Sequence, residues 1–300
     1  AGITAVIASD MAAIIYARQI GVEVHISTQL SISNAEALRF YAQFADVIVL
    51  ARELNLTQVK EIKAIIDRDN ICGPSGRLVE IEMFAHGALC MAISGKCYLS
   101  LDNFNTSANR GACVQPCRRG YTVQDRDKEI TLNIDNEYIM SPKDLCTLPF
   151  LDKVLDAGVK ILKIEGRGRS PEYTKVTVGV YSEAVKAIQN GEFTEEKVAA
   201  WTERLRSVYN RDFWDGYYLG RKTGEWTQRY GSQATKTKIF VGTVTNFFGK
   251  INVAEIRMET QDLKVGDDIM IIGPTTGVYE DTVSEIRVDL KAVESTEKGE

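Results

Sequence analysis

Short apolar, β-branched runs alternate with amphipathic helical stretches through the first half of this chain, and that alternation leaves few folds open to it. Residues 3–8 (ITAVIA) read as a buried strand, followed by helical spacing over residues 10–20. Residues 22–27 (VEVHIS) make a second strand, and Asn34 stands where an N-cap would open a helix over 35–44. A third strand, 46–50 (DVIVL), precedes a helix over 57–67, where Leu56, Val59, Ile62, Ile65 and Ile66 keep one apolar face. A fourth strand covers 78–84 (LVEIEMF). The pattern then lapses, and resumes with a helix near 148–157, a strand at 160–165 (KILKIE) and a long helix over 171–189. Strands alternating with helices in this way are joined by right-handed crossovers and build a parallel sheet.

Five β/α units are an awkward number. A closed barrel of this kind needs eight, so three further units would stand upstream. An open, doubly wound sheet of five strands could stand alone, but the turn after residue 8 offers no Gly-rich phosphate loop. The expectation is therefore an α/β fold, a partial TIM-like (β/α) barrel lacking its first three β/α units, over residues 1–190, with a cysteine-rich insertion at 85–127. From residue 238 the character changes to short β-rich runs at 239–245, 250–256, 268–272 and 282–286, separated by Phe248-Gly249, Val265-Gly266 and Gly273-Pro274 turn signals. Residues 238–300 thus read as a small C-terminal all-β barrel whose last strand would lie beyond Glu300. Residues 191–237, with Trp201, Trp214 and Trp226, read as a connecting helical and aromatic segment. The chain starts on Ala1 with strand-like residues at once, and reads as a piece of something longer.

The cysteines carry the first chemical signal. Cys90, Cys97, Cys113 and Cys117, four of the six, fall within 28 residues, with six, fifteen and three residues between them. A disulfide framework belongs to small secreted chains with poor cores, and 44% hydrophobic residues over 300 make this chain neither small nor core-poor. Four thiolates hold either a tetrahedral zinc ion or an iron–sulfur cluster. Only Cys113 and Cys117 have the close spacing of a zinc knuckle, and a larger cluster tolerates the longer gaps; unligated core thiols remain the third alternative. Cys72 and Cys146 have no such spacing and read as core or loop residues. The segment leaves the C-terminal end of a strand, the side on which β/α barrels carry their active sites.

With two histidines in the chain, histidine chemistry falls on His25 and His86. Either is a candidate proton shuttle, as is Glu82, whose alternation with Val79, Ile81 and Met83 makes it a strand acid that must find a partner. Ser27 and Gln29 follow the second strand and are candidates for substrate contacts. So are Glu165 and Arg167 after the last strand, and Arg110 and Arg118 beside the cysteines, with Arg119, Lys163 and Arg169 on the same expected rim. Tyr98, Phe104 and Tyr121 interleave aromatic faces among these cations. The chain as a whole is acidic, with 36 Lys and Arg against 41 Asp and Glu and a formal net charge of −5, so nucleic acid would have to be held by a local basic patch. No apolar run approaches membrane-spanning length and no signal peptide is visible, so the reading is a cytoplasmic protein with no membrane partner.

Glu82-x-Phe84-x-x-Gly87-Ala88-Leu89-Cys90, four residues, then Gly95-x-Cys97-x-Leu99-Ser100 resembles the signature of the collagenase-like peptidase U32 family. Similar pieces surround it: His25-x-Ser27-x-Gln29, Asn109-Arg110-Gly111-x-Cys113-x-x-x-Cys117-Arg118, Ser141-x-Lys143-Asp144-Leu145 and Lys163-Ile164-Glu165-Gly166-Arg167. The resemblance implies a TIM-like barrel with a 4Fe-4S cluster on the four cysteines, zinc being the alternative, and a small β-barrel after it. It implies an enzyme of the branch that hydroxylates C5 of a tRNA wobble uridine without oxygen, with tRNA as partner and prephenate as a linked small carboxylate. The alternative is a collagenase-like peptidase, although no nucleophile elbow and no His-Glu-x-x-His helix is present.

Overall fold

The computed structural model describes residues 2–93, 95–119, 141–220, 225–229 and 231–299. The chain divides into two compact units, one of Ala1–Arg169 with Val176–Ala234 and one of Ser170–Lys175 with Thr235–Glu300.

In the first unit, β1 (Ala5–Ala8), β2 (Glu23–Ile26), β3 (Val47–Val49) and β4 (Glu80–Gly87) pair in sequence order, each parallel to the last. Between them run α1 (Met11–Gln19), α2 (Ala35–Ala42) and α3 (Leu56–Arg68). Each helix start is capped by a side chain whose oxygen accepts from a backbone N–H one turn on: Asp10, Asn34 and Asn55, the last in a full capping box with Gln58. After α4 (Leu99–Phe104), β5 (Asp144–Cys146) and α5 (Leu151–Asp156), strand β6 (Val159–Ile164) joins the far side of β4, again parallel. Two helices follow, α6 (Pro171–Gln189) and α7 (Glu195–Arg206), then β7 (Phe213–Trp214).

Strands that neighbour one another in chain order and share one crossover hand send their helices to the same face. Alternate residues of the strands divide accordingly. Val24, Ile26, Ile48, Ile81 and Met83 belong to the main core, while Val47 and Val49, though buried, lie outside it. His25 pairs in register with Val47, Val49 with Glu82, and Phe84 with Lys163, so these residues line the opposite face of the sheet.

The observed architecture is a mixed α/β unit with a parallel sheet, and the sheet does not close into a barrel among the described residues. Two strands were not legible in the sequence. β5 runs antiparallel to the end of β4, pairing His86 with Cys146, and β7 extends β5. At three and two residues they are too short to display a period of two.

The second unit consists of antiparallel pairs: β8 (Gly242–Phe248) with β9 (Val253–Met258), β10 (Leu263–Lys264) with β15 (Ser295–Thr296), β11 (Asp268–Gly273) with β12 (Gly277–Thr282), and β13 (Ile286–Val288) with β14 (Lys291–Val293). The expected closed β-barrel is replaced by these separate ladders around a small core of Met258, Leu263, Val283 and Ile286. The run expected as one strand at 282–286 instead holds the end of β12, the link 283–285 and the start of β13. Val283 in the link and Ile286 at the start of β13 both plug the small core.

Ile81 is fully buried near the start of β4, paired in register with Ile48 of β3 and Val159 of β6. Ile81→Ala is expected to lower unfolding free energy by about 2–5 kcal/mol, read as a reduced urea midpoint at unchanged slope.

Candidate functional site

Glu82 organises the polar face of the sheet. The residue is 3% exposed, and an isolated carboxylate at such depth would cost far more than the fold can spare. Two side chains from other strands meet it: His25 Nδ1 of β2 lies 2.8 Å from Oε2, and Lys163 Nζ of β6 donates to Oε1 at 3.3 Å. A carboxylate on Nδ1 sets that nitrogen as the proton-bearing one and leaves Nε2 as the outward-facing, exchangeable position. Nε2 in turn lies 3.8 Å from Glu23 Oε1. Lys163 Nζ also lies 5.4 Å from the Phe84 ring centre, and the Arg52 guanidinium stands 5.6 Å from the same ring. The sequence motifs did not single out Arg52. Its signal is the short loop after β3, which emerges on the same side of the sheet.

Ser27 and Gln29 follow β2. The Ser27 hydroxyl, 9% exposed, accepts from Gln29 N at 3.2 Å and caps the turn over Thr28–Leu30, so its oxygen serves the backbone. Gln29 reaches further. Ser9 Oγ donates to its Oε1 at 2.7 Å, and its amide lies against Gly95 in the cysteine segment. A Cβ at Gly95 would fall 2.7 Å from Gln29 Nε2 and displace that side chain, and the backbone φ of +77° favours glycine there.

His86 is elsewhere. It is 2% exposed, flanked by Tyr181 and Phe213 at ring distances of 5.6 and 5.5 Å, with Nδ1 3.4 Å from the Tyr181 hydroxyl. Burial, with help from the nearby Arg169 charge, pushes its pKa down to about 3. The expectation that His86 shuttles protons near neutral pH is therefore corrected: it is a neutral core imidazole at physiological pH. Cys146 beside it is likewise a core residue, its thiol pushed up to about 11 by burial.

Cys90 is exposed, and Cys97, Cys113 and Cys117 are half-buried free thiols. Ser100, fully buried, knits the loop around Cys113: its hydroxyl lies 3.8 Å from the sulfur and accepts from Val114 N at 3.3 Å. The Cys117 thiol is raised, first by burial, and then by the charges of Cys90, Cys113 and Cys97 against the opposing pull of Arg118. Each of the other three cysteines thus lies within electrostatic reach of Cys117. Among the described residues, no three His, Cys, Asp or Glu side chains stand close enough together to hold one metal ion.

The arginines separate into two sets. Arg110 and Arg167 are exposed, and the Arg167 guanidinium lies against Gly111. Glu165 Oε1 accepts from Arg167 N at 2.8 Å, which shapes the turn after β6. Arg118 is instead spent on the protein, donating to Leu89 O at 2.6 Å, Pro142 O at 2.7 Å and Ser141 Oγ at 3.1 Å. Behind it, Asp144, 1% exposed, accepts from Arg211 N at 3.1 Å and lies 3.5 and 3.7 Å from the Arg211 and Arg169 guanidinium groups. Arg169 stacks 3.8 Å over the Tyr209 ring. Arg211 and Tyr209 were missed in the sequence because they lie in the connecting segment, far along the chain from Asp144. Arg119 stands 5.1 Å over Phe104 and Tyr98 is 76% exposed, whereas Tyr121 lies outside the described residues.

The family profile described as Peptidase family U32 matches residues 1–228. The chain belongs to peptidase family U32. It is 60% identical over 300 residues to "Collagenase" of Porphyromonas gingivalis, covering all of this chain and 72% of that protein. It is 33% identical over 296 residues to "tRNA hydroxylation protein P1" of Bacillus subtilis, covering 95% of this chain and 67% of the other. Over 168 residues it is 38% identical to "23S rRNA 5-hydroxycytidine C2501 synthase" of Escherichia coli, covering 56% of this chain and 24% of that one. No solved structure matches the chain. Among the described residues, no helix is long and apolar enough to cross a membrane.

Two predictions follow from the geometry of this U32 chain. Glu82→Ala strands Lys163 and His25 without their shared anion and is expected to cost about 3–5 kcal/mol, with Glu82→Ala/Lys163→Met recovering part of it in denaturant titrations. His86 takes up its proton near pH 3 when folded and near 6.5 when unfolded, so its contribution is intact above about pH 6.5 and drains as pH falls towards 3. The imidazole resonances of His86 are expected to stay fixed between pH 8 and 5, and a shift there would show that the ring is open to water.

Proposed function

We propose that this U32 protein is an iron–sulfur-dependent RNA modification enzyme that hydroxylates C5 of a tRNA wobble uridine, with Cys90, Cys97, Cys113 and Cys117 holding a 4Fe-4S cluster. The observation that carries this reading is four cysteines within 28 residues, in the segment that leaves the C-terminal end of β4. A zinc ion would need all four sulfurs about 2.3 Å from a single centre. The sequence gaps of six, fifteen and three residues between the cysteines suit the larger cluster better than a zinc knuckle. Bound there, such a cluster would supply one-electron chemistry.

The chain's own residues have definable parts in this reading. Glu82 fixes the proton of His25 on Nδ1, so that Nε2 accepts or returns a proton at a bound substrate. Lys163 balances the Glu82 charge and brings a cation to the same face, where a small carboxylate such as prephenate would be received. RNA is supported by the local charge of the cysteine segment. Within residues 90–119, Lys96, Arg110, Arg118 and Arg119 stand against Asp102, in a chain whose net charge is −5. Exposed Arg110 and Arg167 would meet phosphates, and Tyr98 offers an aromatic face to an unpaired base. The relatives named for tRNA and rRNA hydroxylation support the same substrate class.

The relatives named collagenase favour the second reading, peptide hydrolysis. Against it, the His25 ring faces the carboxylates of Glu82 and Glu23, with no serine or cysteine hydrogen-bonded to it among the described residues.

Protein prepared without oxygen is expected to be brown and to hold about four irons per chain, and Cys113→Ser to lose both colour and iron. Hydroxyuridine in tRNA, measured by mass spectrometry, is expected to vanish on gene deletion and to return with the wild-type gene but not with Cys113→Ser. Gelatin cleavage abolished by a substitution away from the cysteines, with tRNA unchanged, would overturn the proposal.

A further inference from the structure

Arg118 directly follows Cys117, and the carbonyl that it holds at 2.6 Å belongs to Leu89, the residue directly before Cys90. The same guanidinium donates to Pro142 O and Ser141 Oγ just ahead of β5. One planar fork therefore joins three stretches that are distant in sequence: the end of β4, the turn carrying the last cysteine, and the start of β5. We infer that Arg118 is the positioning residue of the cysteine centre, clamping Cys117 against Cys90 and placing a fixed positive charge beside their sulfurs. This deepens the function proposed above and rests on its reading of the four cysteines as one ligand set.

Three observations support the assignment beyond the hydrogen bonds. The charges of Cys117 and Cys90 both favour the Arg118 cation, against the lowering effects of burial and of Arg211. Behind it stands a cationic wall. Arg169 and Arg211 both lie against the buried carboxylate of Asp144, at 3.7 and 3.5 Å. Arg211 also reaches the loop itself, with Nη2 donating to Gln115 Oε1 at 3.2 Å, two residues before Cys117. Lysine cannot replace the clamp, because three carbonyl and hydroxyl acceptors spread around a planar fork exceed what one ammonium meets in the same geometry.

The test compares wild type with Arg118→Lys and Arg118→Met, all prepared without oxygen. Hydrogen exchange followed by mass spectrometry reads the clamp independently of any cofactor. In Arg118→Met, amides near residues 89–91 and 114–118 are expected to exchange at least about tenfold faster, together, while β1–β3 keep their rates. Iron release to a chelator is expected to speed by about 10–100-fold in Arg118→Met, with Arg118→Lys between the two because it keeps charge without the fork. Unchanged exchange in both segments, or unchanged iron release in both variants, would overturn the assignment. Wild-type protein without iron but with both segments protected would instead overturn the cluster reading, leaving the clamp supported by its exchange signature.

Discussion

A carboxylate sealed inside a sheet dictates what its neighbours must be, and Glu82 does so here. At 3% exposure solvent hardly reaches it, so the charge must be met by partners whose backbones are already in place. Two strands supply them, β2 through His25 and β6 through Lys163, on either side of β4. The requirement reaches into the topology. Only an arrangement that brings β2, β4 and β6 into one sheet with these three positions on one face satisfies it, and the consecutive parallel order provides that arrangement. The opposite face is apolar and helix-covered. Core stability and site chemistry are thus assigned to opposite faces of the same few strands.

The cysteine segment is bound to this scaffold by polar contacts more than by burial. Gln29 meets it at Gly95, Arg167 at Gly111, Arg118 spans from Cys117 to Leu89, and Arg211 reaches Gln115. Each tie departs from the end of a strand or from the short strands appended to β4. Loops carry chemistry best when a rigid element holds their ends, and here the C-terminal ends of β2, β4 and β6 do the holding.

Most of the β/α skeleton was legible because its signals are local. Asn34 and Asn55 cap helices by reaching N–H groups three residues on, and Ile62 and Ile66 share a face because they are one turn apart. Where expectation and structure part, the cause is distance along the chain. β5 and β7 exist because β4 and Trp214's segment come together, not because their own residues alternate. The link at residues 283–285 looked like part of a strand because burial of Val283 leaves the same apolar mark as pairing does.

Among the site residues, the sequence by itself determined which chemistry was available: four clustered thiols, two imidazoles and a strand acid, together with membership of a family whose motifs they form. It also settled that the chain builds a parallel sheet. Tertiary structure decided which members of that set work together. It seated His86 in the core, where desolvation keeps it neutral, and turned His25 towards Glu82. It spent Ser27 on a backbone cap and Arg118 on a clamp while leaving Arg110 exposed. The reason is that protonation and hydrogen bonding depend on depth and on partners tens of residues away, and neither is encoded in a residue's own neighbours along the chain.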